Sequence, residues 1–143
     1  MEDFLYQIKK EIGAIIKEQA LLGSAIVAGY LFGSSITDNA RTDSDIDLAF
    51  LLDHKAYKLD PLAASAPCYM AATKVGMRLK KETDVIILNA SSLEIAYDVV
   101  TSGLCFLETD LEKRLDYEIA LRGMYFDFKP FLDELRERCI SNL

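Results

Sequence analysis

The 143-residue sequence predicts an α/β (α+β) fold: one small mixed β-sheet flanked by helices, with a helical C-terminus. Three observations predict it. Apolar residues recur at helical spacing over the first twenty positions. Short apolar segments bounded by turn residues follow, with helical patterns between the later ones. From Asp110 onward the composition is again helical. No repeat, linker or low-complexity segment divides the chain, and its length fits a single domain over residues 1–143.

The elements follow in order. Phe4, Leu5, Ile8, Ile12, Ile15 and Ile16 lie on one side of a helix spanning about residues 2 to 20, which Gly23 and Ser24 close. "AIVAGYLFG" reads as a short buried strand halted by Gly33. "DIDLAFLL" is a second strand, and alternation puts Asp45 and Asp47 on one face and Ile46, Leu48, Phe50 and Leu52 on the other. Ala49 and Leu51 continue the aspartates' face, so beyond its mouth the strand is apolar on both sides, as a doubly covered central strand is. "DHKAYKLDPL" reads as a polar connection. Asp60 caps, and Pro61 opens, a helix running to about Lys81 with an interruption near Pro67. "TDVIILN" is a third strand with Asp84 at its entrance. "SSLEIAYDVVTSG" is a serine-capped helix closed by glycine, and "LCFLE" a short edge strand. The final helix is expected to break or kink near Pro130.

Composition narrows the function. Hydrophobic residues make up 51% of the chain, enough for a real core, yet no run reaches the length of a membrane span. The start, "MEDFLYQIKKE", is acidic and amphipathic rather than a secretory signal, so a cytoplasmic location without membrane association is expected. Cys68, Cys105 and Cys139 are widely spaced and the only histidine, His54, sits in a polar stretch. That argues against a zinc site and against histidine-dependent nucleophilic catalysis. A net charge of −7 speaks against stable nucleic-acid binding, but admits a metal-bridged nucleotide and a basic protein partner.

The chemistry is concentrated in "GSSITDNARTDSDIDLAF", residues 33–50. Two carboxylates about 4 Å apart repel by roughly 4 kcal/mol at an effective dielectric near 20. If the second and third strands are neighbours, Asp45, Asp47 and Asp84 converge, and a divalent cation such as Mg²⁺ offsets their repulsion. Taken alone, "TDSDID" also reads as an acidic turn and cap, and Gly33-Ser34 as a plain strand-ending turn. An EF-hand loop is ruled out, because Leu48 and His54 stand where glycine and glutamate are required. A P-loop is absent.

The informative feature is the combination: Gly33-Ser34, ten residues, then Asp45-x-Asp47, with a strand on each side and Asp84 opening a later one. It resembles the DNA polymerase β-like nucleotidyltransferase superfamily, whose signature is Gly-Ser, a ten-residue spacer and Asp-x-Asp. The short chain with its helical tail looks like the minimal nucleotidyltransferases, the antitoxins of HEPN/MNT toxin–antitoxin pairs. Ser35, Ile36, Thr37 and Asp38 stand where many members carry basic residues and a glycine, leaving Arg41 as the base of the loop. The resemblance implies that Gly33 and Ser34, with Arg41, hold the phosphates of ATP. It implies that Asp45, Asp47 and Asp84 hold two Mg²⁺ ions, with Asp84 able to take the proton of the acceptor. It also implies transfer of AMP to a tyrosine of a cognate HEPN ribonuclease toxin, which silences the toxin. Two other readings stand beside it: a small-molecule nucleotidyltransferase of the antibiotic-modifying kind, and a non-catalytic antitoxin that covers its toxin. The aromatic C-terminal stretch around Tyr117, Tyr125, Phe126 and Phe128 divides between core and a contact surface.

Overall fold

The computed structural model describes residues 2–20, 25–33 and 45–141. Helix α1 (Glu2–Ala20) is followed by strands β1 (Ile26–Phe32) and β2 (Ile46–Leu52), then helices α2 (His54–Leu59) and α3 (Pro61–Leu79). Strand β3 (Thr83–Ile87), a 3₁₀ turn (Leu88–Ala90), helix α4 (Leu93–Ser102), strand β4 (Leu104–Glu108) and helix α5 (Leu111–Ser141) complete the chain. The sheet order is β3-β2-β1-β4. Strand β1 is antiparallel to both neighbours and β2 parallel to β3, so the sheet is mixed, as predicted.

Alternation along β2 builds two cores. Ile46, Leu48, Phe50 and Leu52 pack with Ile8, Ile12 and Ile15 of α1 and with Ala64, Cys68, Ala71 and Val75 of α3. Ala49 and Leu51 face Ala96, Val99 and Val100 of α4 and Leu121 of α5. Burial of a side chain such as Leu or Phe contributes roughly 1.5–3 kcal/mol, so these two layers supply the main stabilising term. Phe106 meets Phe50 edge-on at 6.3 Å between ring centroids.

Local differences from the sequence pattern have physical causes. The stretch after β2 is a short helix, α2, because the Asp53 side chain accepts a hydrogen bond from the Ala56 amide and caps it. Pro67 does not interrupt α3. It removes one backbone donor, and the buried neighbours Ala64, Ser65 and Cys68 hold the helix against the sheet across it. Helix α5 is likewise continuous across Pro130, with the ion pair Lys129–Asp133 spanning it and Glu134–Arg138 following. Strand β3 stops at Ile87, and Asn89 substitutes for further ladder. Its Oδ1 accepts from the Leu52 amide and its Nδ2 donates to the Leu52 carbonyl, both at 2.9 Å.

Helix α5 is tied to the rest of the fold mainly through its first half, with the Arg136–Glu94 ion pair joining its second half to α4. The Tyr30 hydroxyl donates to Glu118 at 2.7 Å, and Arg114 bridges Glu118 and Glu108. The Tyr30 hydroxyl is buried and faces Glu118, and both raise its pKa. Lys113 pairs with Asp53 at 2.7 Å. Tyr125 stacks on Tyr97 of α4 with centroids 3.7 Å apart. Among the described residues, no helix is long and apolar enough to cross a membrane.

Candidate active site

The parallel register of β2 and β3 places Asp47 directly beside Asp84. A tight turn sets that register: Lys80 takes a left-handed conformation (φ 53°) and the Lys81 amide returns to the Gly76 carbonyl at 3.0 Å. A Cβ on Gly76 would lie 2.7 Å from the Lys81 carbonyl oxygen, so only glycine admits this approach. The Thr83 hydroxyl then donates to the Ala72 carbonyl, and the Ile46 amide donates to the Glu82 carbonyl at 2.9 Å, locking the first residues of both strands. On the other side of β2, Phe32 pairs with Asp47, which brings the end of β1 and Gly33 against the same carboxylate.

Gly33 has φ +71°, in the left-handed region that favours glycine. A Cβ there would collide with Asp47 Oδ2. Gly33 and Asp84 are exposed, Asp47 is half-buried, and Asp45 is exposed just ahead of β2 on the side of Asp47 given by strand alternation. Ser34 and Arg41, the other residues singled out for the triphosphate, lie outside the described residues.

Asp47 carries the electrostatic signature of crowding. Burial raises its carboxyl above the ordinary carboxylate range. The charges of Asp84 and Asp45, and a hydrogen bond shared with Asp84, raise it further. A raised carboxyl favours the folded state when protonated. The stability it contributes is therefore complete below the unfolded value, 3.8, and is lost as pH rises through the higher folded value. Asp47→Asn is thus expected to stabilise the metal-free chain at pH 7, by on the order of 1 kcal/mol or about 2–4 °C in Tm. The gain should fade as pH falls toward 4, and thermal melts at several pH values without divalent cations check it. An equal gain at all pH values would mean that Asp47 is not held raised.

The donor set suits a hard cation. Three carboxylates stand at one end of the sheet, two of them side by side, and the glycine opposite leaves space at the Asp47 oxygen. Among the described residues no group of three His, Cys, Asp or Glu forms a ready-made cage. Asp45, Asp47 and Asp84 are therefore not gathered into one three-carboxylate group, and the close pair is Asp47 with Asp84.

The profile of the family described as "Polymerase beta, Nucleotidyltransferase" matches residues 10–112, a span holding every element from most of α1 to the start of α5. The chain belongs to the polymerase β nucleotidyltransferases. No curated protein matches it significantly. Among solved structures, this nucleotidyltransferase is similar to a chain of the MntA–HepT toxin–antitoxin crystal structure, at 20% identity and a TM-score of 0.58, covering 92% of this chain and 98% of that one. It is similar to a chain of a toxin–antitoxin structure with AMP-PNP, at 23% identity and a TM-score of 0.60, covering 90% and 98%. A third likeness is to a chain of the tri-AMPylated Shewanella oneidensis HEPN toxin in complex with MNT antitoxin, at 21% identity and a TM-score of 0.55, covering 90% and 98%. At these identities the likeness establishes a shared fold.

Sequence reasoning did not foresee a cleft of ≈ 900 Å³ among the described residues of the nucleotidyltransferase. It lies between α2, the start of α4 and α5, and its floor includes Leu51, Leu88 and Leu121. The capping pattern Asp53-x-x-Ala56 was the available signal for α2, its missing wall. The cleft opens at the Leu52–Asp53 end of β2. Six residues of strand, about 20 Å, separate Asp53 from Asp47, so it is distinct from the carboxylate site.

Proposed function

We propose that this nucleotidyltransferase is an antitoxin that transfers AMP from ATP to a tyrosine of a cognate HEPN ribonuclease toxin. The supporting observation is the Gly33–Asp47–Asp84 arrangement: a carboxylate pair on adjacent parallel strands, approached by a positive-φ glycine that leaves room at the Asp47 oxygen. In the reaction the tyrosyl oxygen attacks the α-phosphorus, a new O–P bond forms, and the bond to the bridging oxygen of pyrophosphate breaks. Gly33 and Ser34, with Arg41, bind the phosphates, and Asp84 takes the phenolic proton. Asp45, Asp47 and Asp84 would hold Mg²⁺, which supplies charge neutralisation for the triphosphate when bound. Placement of substrate oxygens against fixed donors does the rest, as in phosphoryl transfer generally.

The toxin-directed reading is favoured over a small-molecule acceptor because the structures this chain resembles come from toxin–antitoxin complexes. The test is incubation with ATP, Mg²⁺ and the purified product of the adjacent reading frame, followed by intact-mass measurement. Increments of about 329 Da per AMP, localised to tyrosine, are expected. A neighbour that binds tightly but stays unmodified would identify a covering antitoxin instead, and a neighbour neither bound nor modified would favour a small-molecule acceptor.

A further inference from the structure

Helix α5 runs 31 residues, about 46 Å, roughly twice the length of the seven-residue central strands beneath it. Its apolar stripe begins as core, with Leu121 buried and Tyr117 half-buried against the α4 layer. The same three-and-four spacing continues through Met124, Phe128, Phe131 and Leu135, which are 48%, 52%, 57% and 42% exposed. Tyr117, Leu121 and Met124 also line the 900 Å³ cleft, so cleft floor and exposed stripe form one continuous apolar track.

We propose that this track is the docking surface for an amphipathic helix of the acceptor protein, one whose apolar face is flanked by lysine and arginine. The inference rests on the proposed function. The heptad spacing of the stripe is the spacing that receives side chains of another helix between its own. Charge specifies the occupant. Asp127 borders Met124 and Phe131 on the helix surface, and Asp116 lines the cleft. Neither has an ion-pair partner among the described residues, whereas Glu134 is paired with Arg138. On the opposite wall, His54, Lys55 and Lys58 of α2 turn the basic flank of the incoming helix toward α5.

A second copy of this chain is the poorer occupant. Each copy carries a net charge of −7, and a second copy brings its own unpaired Asp116 and Asp127 to the contact in place of basic groups. A basic partner reverses both effects and is drawn in faster at low salt.

The test is titration of the full chain with the purified HEPN-family protein of the adjacent reading frame. The wild type is compared with the triple variant Phe128→Ser/Phe131→Ser/Leu135→Ser and with Asp127→Lys. The triple variant is expected to bind at least 100-fold more weakly, and Asp127→Lys about tenfold more weakly, with the second loss shrinking at 0.5 M salt. Both should bind a fluorescent ATP analogue as the wild type does, and saturating partner should restore transfer by the triple variant. A triple variant that binds within twofold of wild type, with transfer intact, overturns the docking surface and leaves the proposed function standing. If the triple variant does not fold, an Asp127→Lys affinity equal to wild type overturns it. Wild-type dimers in sedimentation that the triple variant abolishes would assign the stripe to self-association and overturn the proposal. A wild-type chain that neither binds nor modifies the neighbour removes the proposed function, and this surface with it.

Discussion

The double variant Asp45→Asn/Asp47→Asn is expected to lose nucleotidyl transfer by about 10³-fold or more, equivalent to about 4 kcal/mol of barrier, while keeping its fold. The two side chains enter the site from the start of β2, and Asp47 pairs with Asp84 across to β3. Asn retains the shape and the oxygen acceptor but removes the charge that a hard cation and a triphosphate require. The fold survives because the substitution subtracts repulsion. Asp47 is raised by burial and by its two acidic neighbours, so neutralising it relieves strain. Label transfer from α-labelled ATP and a far-ultraviolet spectrum make the two measurements. Undiminished transfer would end the assignment of these carboxylates, and loss of fold would show that they are needed for structure instead.

Gly33→Ala should give the next largest effect, by a different route. At φ +71° an L-residue costs roughly 1–2 kcal/mol, and its methyl group would occupy the place of Asp47 Oδ2. Either the end of β1 or the carboxylate must move. A displacement near 1 Å in a catalytic group lowers transfer by about 10²-fold. Melting temperature should fall together with activity. Gly13→Ala is the control: a Cβ at Gly13 meets nothing within 4 Å, and in helix α1 the change should stabilise by about 0.5–1 kcal/mol. A Gly33→Ala enzyme with full activity would mean that the tight approach to Asp47 has no part in the chemistry.

Much of this architecture was legible because the relevant signals are local. Alternation in "DIDLAFLL" fixed which residues of β2 face which layer, and the two cores match it residue for residue. Asp60, Pro61 and Ser92 marked helix starts through capping chemistry that depends on few neighbours. What stayed hidden depends on partners distant in sequence. Asn89 reads as the last residue of a strand, yet it binds the Leu52 backbone and ends β3 two residues earlier. Pro67 reads as a helix breaker because the packing that carries α3 through it cannot be seen from its neighbours. In the site, the aspartates were visible through their spacing, but the contact between Gly33 and Asp47 arises from the pairing of β1 with β2. The buried ties of Tyr30 and Arg114 to Glu118 join β1 to α5 and left no pattern in sequence.

The pairing of Asp47 with Asp84 also sets which insertions and deletions the gene can tolerate. Losing a single codon between Ile46 and Leu52 would rotate the upstream half of that strand, turning an acid into the greasy layer and a leucine or isoleucine to the face that Asp47 now occupies.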